Sequence, residues 1–437
     1  MKLEDKKLTK ESRKKKGKWR LLTLASIIVV IAVLLILASQ HQTYLSLYMH
    51  YFQYNFIPKT EVENNSNAQF IDTDFLTVFG KSIMNQKGEK VVLMGVNLGG
   101  WLTQEYWMCP VYGDSSLDHT WSHTETINAL TERFGDKKAR ALLKEYEDNW
   151  ITEWDIQNIA AQGCNVIRVP FGYWNFMADD KGTWLTEEIE DNPGFQRFDW
   201  LLEIAGKHGI YVILDMHGCP GGQSYDTCDG TPGDYFLFSD SEYQDVMEKL
   251  WIAIAERYKD EPALAGYDIM NEAEYYSGSV ESDPRNMVYN RMYQAIRAVD
   301  PAHIIFIEAI WELNCLPTPE QAGWENVVYE THPYDKSDAE SYCNSLLEYM
   351  ESNQIPIYIG ECSSMKMLDT CKKYEISCTP WTYKGTNYAE GTWYMYYTDQ
   401  LSAADVLSDS YWLIEMKWGK CLRTQFYEPV EEVLMYY

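Results

Sequence analysis

From Leu264 to Glu272 the chain reads LAGYDIMNE: an apolar run of strand length that ends on Asn271 and Glu272. The same design recurs along the chain. Short β-branched or apolar runs lie at Val91–Val96, Val166–Pro170, Tyr211–Met216, Leu264–Met270, Ile304–Glu308, Val327–Glu330, Ile355–Gly360 and Ile376–Pro380. Continuous apolar runs without polar alternation suit strands covered on both faces, as in a parallel sheet under helices. Helical stretches are expected between them at Trp150–Gln162, Trp200–Gly206, Tyr243–Arg257, Asn286–Val299 and Ser337–Ser352. Eight strand–helix repeats predict an α/β fold of the closed (β/α)8 (TIM) barrel type. An open doubly wound sheet is the competitor, but its Gly-rich phosphate fingerprint is missing. Phe75–Val92, with a turn at Asn85–Gly88, reads as a hairpin capping the barrel's bottom. No second globular domain is expected.

In such barrels, chemistry gathers where the strands end. Asn97 follows the first run, Arg168 lies near the end of the second and His217 follows the third. Asn271 and Glu272 follow the fourth, His332 and Tyr334 the sixth, Glu361 the seventh and Trp381 the eighth. Each alone could be a polar residue meeting solvent, but so many at one rim point to a site. Two carboxylates facing one cavity suit glycoside hydrolysis: one protonates the leaving oxygen, the other attacks the anomeric carbon. Glu272 is expected as acid/base and Glu361 as nucleophile, with the roughly 5–5.5 Å separation that retention needs. Arg168, His332 and Tyr334 would hold Glu361 ionised, Asn271 would grip a sugar hydroxyl, and Trp381 would floor the subsite.

These residues, in this order, resemble glycoside hydrolase family 5, over roughly Phe75 to the C-terminus. The resemblance implies that Arg168, His217, Asn271, Glu272, His332, Tyr334, Glu361 and Trp381 form the family's site. Within the family, Gly95–Leu102 (GVNLGGWL), Trp150–Asp155 (WITEWD), Arg168–Phe176 (RVPFGYWNF, containing Trp174) and His217–Gln223 (HGCPGGQ) look like the exo-β-1,3-glucanase branch. Glu105 falls where that branch implies hydrogen bonding to substrate, and Asn97 and Trp174 join the substrate-binding set. Departures concern substrate rather than chemistry: Ala273 replaces the usual Pro, Cys362 follows the nucleophile, and Tyr383–Thr386 (YKGT) is closer to bacterial relatives. The stretch from Glu361 to Trp381 leaves no room for a large closing loop. Glu274 is a weaker alternative acid, since it lacks a preceding Asn.

The resemblance implies a retaining β-glycosidase acting on β-linked glucans, with β-1,3-glucan or β-glucosides ahead of cellulose. An endo-β-1,4-glucanase or mannanase of the same fold, or a non-catalytic carbohydrate-binding surface protein, are the alternatives.

The bulk composition is compatible with that reading without selecting it. The 437 residues include 16 Trp and 33 Tyr, rings that core packing or a sugar cleft could use. Net charge is −28, yet residues 1–20 hold ten Lys/Arg against three Asp/Glu, leaving 27 against 62 for the remainder. So acidic a body repels phosphate backbones and argues against nucleic acid as a partner. Leu21–Ala38 (LLTLASIIVVIAVLLILA) carries no charge. As a helix it is about 27 Å long, close to the hydrocarbon thickness of a bilayer. With the basic flank before it, the expectation is a cytoplasmic tail (1–20), a single transmembrane signal-anchor (21–39), a stalk (40–70) and an extracytoplasmic barrel (71–437), type II at the cell membrane. All ten Cys lie beyond the anchor; local disulfides (Cys219–Cys228, Cys371–Cys378) and buried free thiols are both compatible. No Cys/His spacing suggests zinc, so no metal or cofactor is expected, and the catalytic domain is expected to be monomeric.

Overall fold

The computed structural model describes residues 73–273, 279–310, 312–386, 393–398 and 403–434. Eight parallel strands form the central sheet: β1 (Gly95–Asn97), β2 (Val166–Gly172), β3 (Tyr211–Gly218), β4 (Leu264–Asp268), β5 (Ile304–Glu308), β6 (Val327–Thr331), β7 (Ile357–Ile359) and β8 (Ser377–Cys378). Each pairs with its successor in chain order. The ends meet through a parallel bridge between Met94 and Cys378, where the Cys378 N–H donates to Leu93 O at 2.8 Å. The sheet is therefore a closed barrel, as the eight apolar runs predict.

The helices cover the strands' outer faces. They are α1 (His123–Phe134), α2 (Asp136–Trp150), α3 (Glu153–Ala161), α4 (Pro193–Lys207), α5 (Ser241–Tyr258), α6 (Pro284–Val299), α7 (Pro319–Ala322), α8 (Ala339–Asn353), α9 (Met365–Tyr374) and α10 (Tyr411–Trp418), with a last short helix, α11, at Glu431–Leu434. The helix expected from Trp150 begins only at Glu153, because Thr152 and Asp155 build a capping box there; Trp150 closes α2 instead. α1 and α2 are additions that the alternation did not show, although α1 carries a Ser122–Glu125 capping box. α9 fills the short stretch after Glu361 and leaves no closing loop there.

Below the barrel, Thr77–Phe79, Ser82–Met84 and Lys90–Val91 make a three-stranded antiparallel sheet. Its expected turn forms, with the Gly88 N–H donating to Asn85 O. Val91 thus belongs to this cap, and the first barrel strand starts four residues later. Leu76 and Ile83 of the cap, with Leu93, pack on the barrel's inward-facing Val166, Ile213, Phe306, Val328 and Tyr358. After β8, Lys384–Thr386, Tyr396–Thr398 and Glu428–Pro429 form a small side sheet. The tail, anchor and stalk expected over residues 1–70 lie outside the described residues, as does Glu274. No helix among the described residues is long and apolar enough to cross a membrane.

Candidate active site

Side chains two positions apart on a strand face the same way, so each barrel strand carries one inward row. Those rows change character partway up: Val166 is followed by Arg168, Ile213 by Asp215 and His217, Phe306 by Glu308, and Val328 by Glu330 and His332. Arg168 is fully buried at the centre. Its guanidinium reaches Asp215 (3.1 Å), Asp268 (2.7 Å), Glu330 (3.2 Å) and Glu361 (2.8 Å). It also donates to Asn97 Oδ1 (3.2 Å) and Asn271 Oδ1 (2.9 Å). Burial alone would disfavour its charge, but the surrounding carboxylates prevail and lock the proton on. One cation cannot neutralise all these acids, so protons are retained: burial and the Glu330 charge keep Asp268 well above the usual carboxylate range. Burial likewise pushes Glu308 up to about 8.

Glu361 is held by two donors, Arg168 Nη1 and the Tyr334 hydroxyl, each at 2.8 Å. Glu272 leaves β4 on a turn with φ +40°, a left-handed conformation that costs strain in a residue with a Cβ. The Glu308 carboxylate accepts its backbone N–H at 2.6 Å and stabilises that turn. The Glu272 side chain stays 29% exposed, whereas Glu361 is 6% exposed. Between them stands His332, with Nδ1 at 2.8 Å from Glu272 Oε1 and 3.8 Å from Glu361 Oε2. Those two carboxylate oxygens can be no farther apart than the sum of the two legs, about 6.6 Å. That ceiling spans the roughly 5–5.5 Å of retaining enzymes and barely touches the inverting range.

His332 therefore serves the other carboxylate from the one expected. Burial opposes its charge, yet Glu308 and Glu361 raise its proton affinity well above the ordinary histidine value. Glu272 responds in the opposite sense. Burial would raise its carboxyl, but the His332 hydrogen bond prevails and holds it below the usual range. Without a sugar bound, the pair keeps its proton on the imidazole side, one short hydrogen bond from the carboxylate.

The remaining wall is aromatic and amide. His217 lies against Trp381, ring centroids 5.4 Å apart and nearly parallel. Burial would lower the His217 pKa, but the Asp215 carboxylate 2.8 Å away lifts it to about 9. Asn271 lies 3.4 Å from His217 Nε2, and Gln223 donates to the backbone oxygens of both residues. Glu105 is buried, takes a hydrogen bond from Trp107 Nε1 at 2.7 Å, and is raised by burial to about 7. Its other oxygen has no partner in the protein.

The structure thus gathers Arg168, His217, Asn271, Glu272, His332, Tyr334, Glu361, Trp381 and Glu105 at one barrel mouth. Two expected substrate contacts are placed otherwise. Asn97 is wholly buried; its amide donates to Gly360 O, Thr379 O and Pro380 O while its oxygen receives Arg168. It ties β1 to the ends of β7 and β8 and has no group left for a ligand. Trp174 is also buried, its indole N–H donating to Leu102 O, with His123 stacked on it. It fills the space left by Gly172, Gly218 and Gly230. Sequence reading missed Asp215, Asp268, Glu308 and Glu330. The available signal was an acid inside an apolar run, two residues ahead of a site residue for Asp215 and Glu330.

Ligand atoms of Glu272, Glu308 and His332 lie within 4.8 Å of one another, the one such grouping among the described residues. A cation there would occupy Glu272 and its imidazole partner together, removing both from proton transfer. All ten cysteines are free thiols. The local pairs envisaged are unlinked: Cys219, Cys371 and Cys378 are buried free thiols, and Cys228 is a half-buried one.

The chain is similar to known proteins in sequence and in fold. Among similar sequences, a β-xylosidase of Phanerodontia chrysosporium is 30% identical over 268 residues, covering 60% of this chain and 52% of its own length. A protein named "Probable glucan 1,3-beta-glucosidase A" from Aspergillus fumigatus is 28% identical over 290 residues, covering 62% of this chain and 65% of its own. The matches thus span between half and two thirds of these relatives. Among solved structures, an endogalactoceramidase superposes with TM-score 0.52 at 17% identity, over 71% of this chain and 74% of that one. A rutinosidase from Aspergillus niger gives 0.51 at 18% identity, over 69% and 92%. These likenesses share the barrel fold. Residues 136–398 match the family described as "Cellulase (glycosyl hydrolase family 5)", and the chain belongs to that family.

Proposed function

We propose that this protein is a retaining β-glycosidase acting on β-linked glucans, with β-1,3-glucan or short β-glucosides as substrates. The observation that carries the reading is the pair Glu272 and Glu361, held within about 6.6 Å across one imidazole. In the first step Glu361 attacks the anomeric carbon, the glycosidic C–O bond breaks, and Glu272 protonates the departing oxygen. In the second, Glu272 takes a proton from water as the water oxygen displaces Glu361. The proton needed first is held by the Glu272–His332 pair and moves across their 2.8 Å hydrogen bond as the leaving oxygen develops charge. Arg168 and Tyr334 each donate a hydrogen bond to Glu361 and aim it at the anomeric carbon. The stacked His217–Trp381 pair and Asn271 form the floor on which a pyranose lies. Glu105, with one oxygen unpaired, supplies a further hydrogen bond to a sugar hydroxyl.

The glucan reading draws on the family, on the relatives named for 1,3-β-glucosidase activity and on the opening motif through Leu102. We place the catalytic domain outside the cell membrane, on the strength of the uncharged run Leu21–Ala38 and its basic flank. The decisive test is proton NMR of the first-formed product from laminari-oligosaccharides. The β-anomer and single glucose release are expected. The α-anomer would reject the double displacement, and internally cut fragments would replace the exo reading by an endo one.

A further inference from the structure

Behind the candidate nucleophile lies a row of sulfur atoms that the chemistry above does not use. Cys362 directly follows Glu361, and its Sγ is 3.7 Å from Cys378 Sγ on β8. Cys371 of α9 lies near enough to both Cys378 and Cys343 of α8 to perturb their thiols. Met367 Sδ lies 3.8 Å from Cys343 Sγ and extends the row. All four thiols are buried. No three of the four thiols lie within 4.8 Å of one another. A thiolate metal centre draws three or four sulfurs around one point, whereas a row suits bonding in pairs.

We propose that Cys362 and Cys378 are a thiol-oxidation site whose disulfide, once formed, displaces the Glu361 carboxylate. The choice of pair follows from the row. Joining Cys362 to Cys378 leaves Cys371 beside Cys343, so no thiol is stranded, whereas joining Cys371 to Cys378 strands both ends. The β7–β8 ladder pairs Ile359 with Cys378, so the two thiols stand on neighbouring strand ends.

The oxidant is a disulfide of the glutathione class. The two thiols give up two electrons and two protons, one S–S bond forms in the protein, and the small disulfide leaves as two thiols. Closing 3.7 Å to a bond of about 2.05 Å is shared between the two side chains and their backbones, and its backbone part pulls Cys362 toward β8. That backbone carries Glu361 on one side, and its carbonyl accepts the Trp381 N–H at 2.9 Å. Glu361 depends on two 2.8 Å hydrogen bonds, which weaken as the backbone that carries it is pulled out of line. The effect on rate rests on the glycosidase reading; the bond itself does not.

The test equilibrates the full-length chain in glutathione buffers stepped from reducing to oxidising, followed by alkylation and peptide mapping. A Cys362–Cys378 cross-link is expected, together with a fall in kcat/KM on an aryl β-glucoside of at least about tenfold, reversed by dithiothreitol. Cys378→Ser should abolish both changes, and Cys362→Ala should do so if the first variant does not fold. Cys343→Ser should retain both. No cross-link at any poise, or a Cys371–Cys378 link, overturns the proposal. A correct cross-link with unchanged kcat/KM overturns its coupling to Glu361. A chain inactive in every redox state rejects the glycosidase reading while the map still decides the bond.

Discussion

Two layers of the same barrel differ in almost every respect although one pleat repeat separates them. The lower layer, of Val166, Ile213, Phe306, Val328 and Tyr358, is apolar and plugged by Leu76 and Ile83 of the hairpin sheet. The upper layer, built from the next inward position on most of the same strands, holds Arg168, Asp215, Glu308 and Glu330, with Asp268 beside them. The lower layer is stabilised by burial, at about 25 cal/mol per Å² of apolar surface. The upper layer is held by mutual compensation, because a buried charge is tolerated only when paired. The strands also use their ends differently. At Gly360 an added Cβ would overlap the Glu330 carboxylate and crowd His332, so glycine there makes room for the polar network. The lesson is a division of labour: the bottom closes the barrel so that the top can hold charges that would otherwise unfold it.

The comparison breaks most visibly if the top is unnecessary for turnover. Glu361→Gln should lower kcat by roughly 10⁴-fold or more while far-UV circular dichroism stays unchanged. A variant with near-normal turnover would remove the catalytic reading altogether. Arg168→Met tests whether compensation holds the upper layer. It leaves Asp215, Asp268, Glu330 and Glu361 without their shared cation, and urea unfolding should show a loss of about 3–5 kcal/mol. Phe306→Ala tests the lower layer, where a cavity should cost about 3–4 kcal/mol but leave kcat per folded molecule close to normal. Equal damage to kcat from Phe306→Ala and Arg168→Met would erase the distinction between layers.

The smallest effect sharpens the contrast through pH. Glu308 (about 8), Glu105 and Asp229 (each about 7) are all raised in the folded protein, chiefly by burial. Each folded value lies above the unfolded one, so the native state binds more protons. The stability that these groups confer is complete below about pH 4.5 and is lost as pH rises through 7 to 8. His217, opposed by burial but raised to about 9 by Asp215, adds a loss of the same sign above pH 6.5. Thermal melting should therefore give a higher Tm at pH 5 than at pH 8, and Glu308→Gln should flatten the slope. A Tm that rises over that interval would contradict the proton retention described for the upper layer.

Much of the architecture could be read in advance because it is written locally. An apolar run of strand length, a polar residue at its end and an amphipathic stretch behind it need only neighbours in the chain. They located eight strands, five helices, the hairpin cap and the residues at the barrel mouth. Helices α1 and α2 escaped because they interrupt the alternation, although Ser122–Glu125 offered a capping signal.

Partnership was decided only by tertiary structure. Arg168 and Glu361 are 193 positions apart, and His332 and Glu272 are 60 apart; neither distance in the chain says which groups will touch. Hence the allegiance of His332 to Glu272, the full commitment of Asn97 to backbone carbonyls and the burial of Trp174 emerged only once the barrel closed. The acids within the apolar runs behave likewise. A sequence shows the parity of a strand residue, and so its face, but the charge that makes an inward carboxylate tolerable comes from another strand across the barrel.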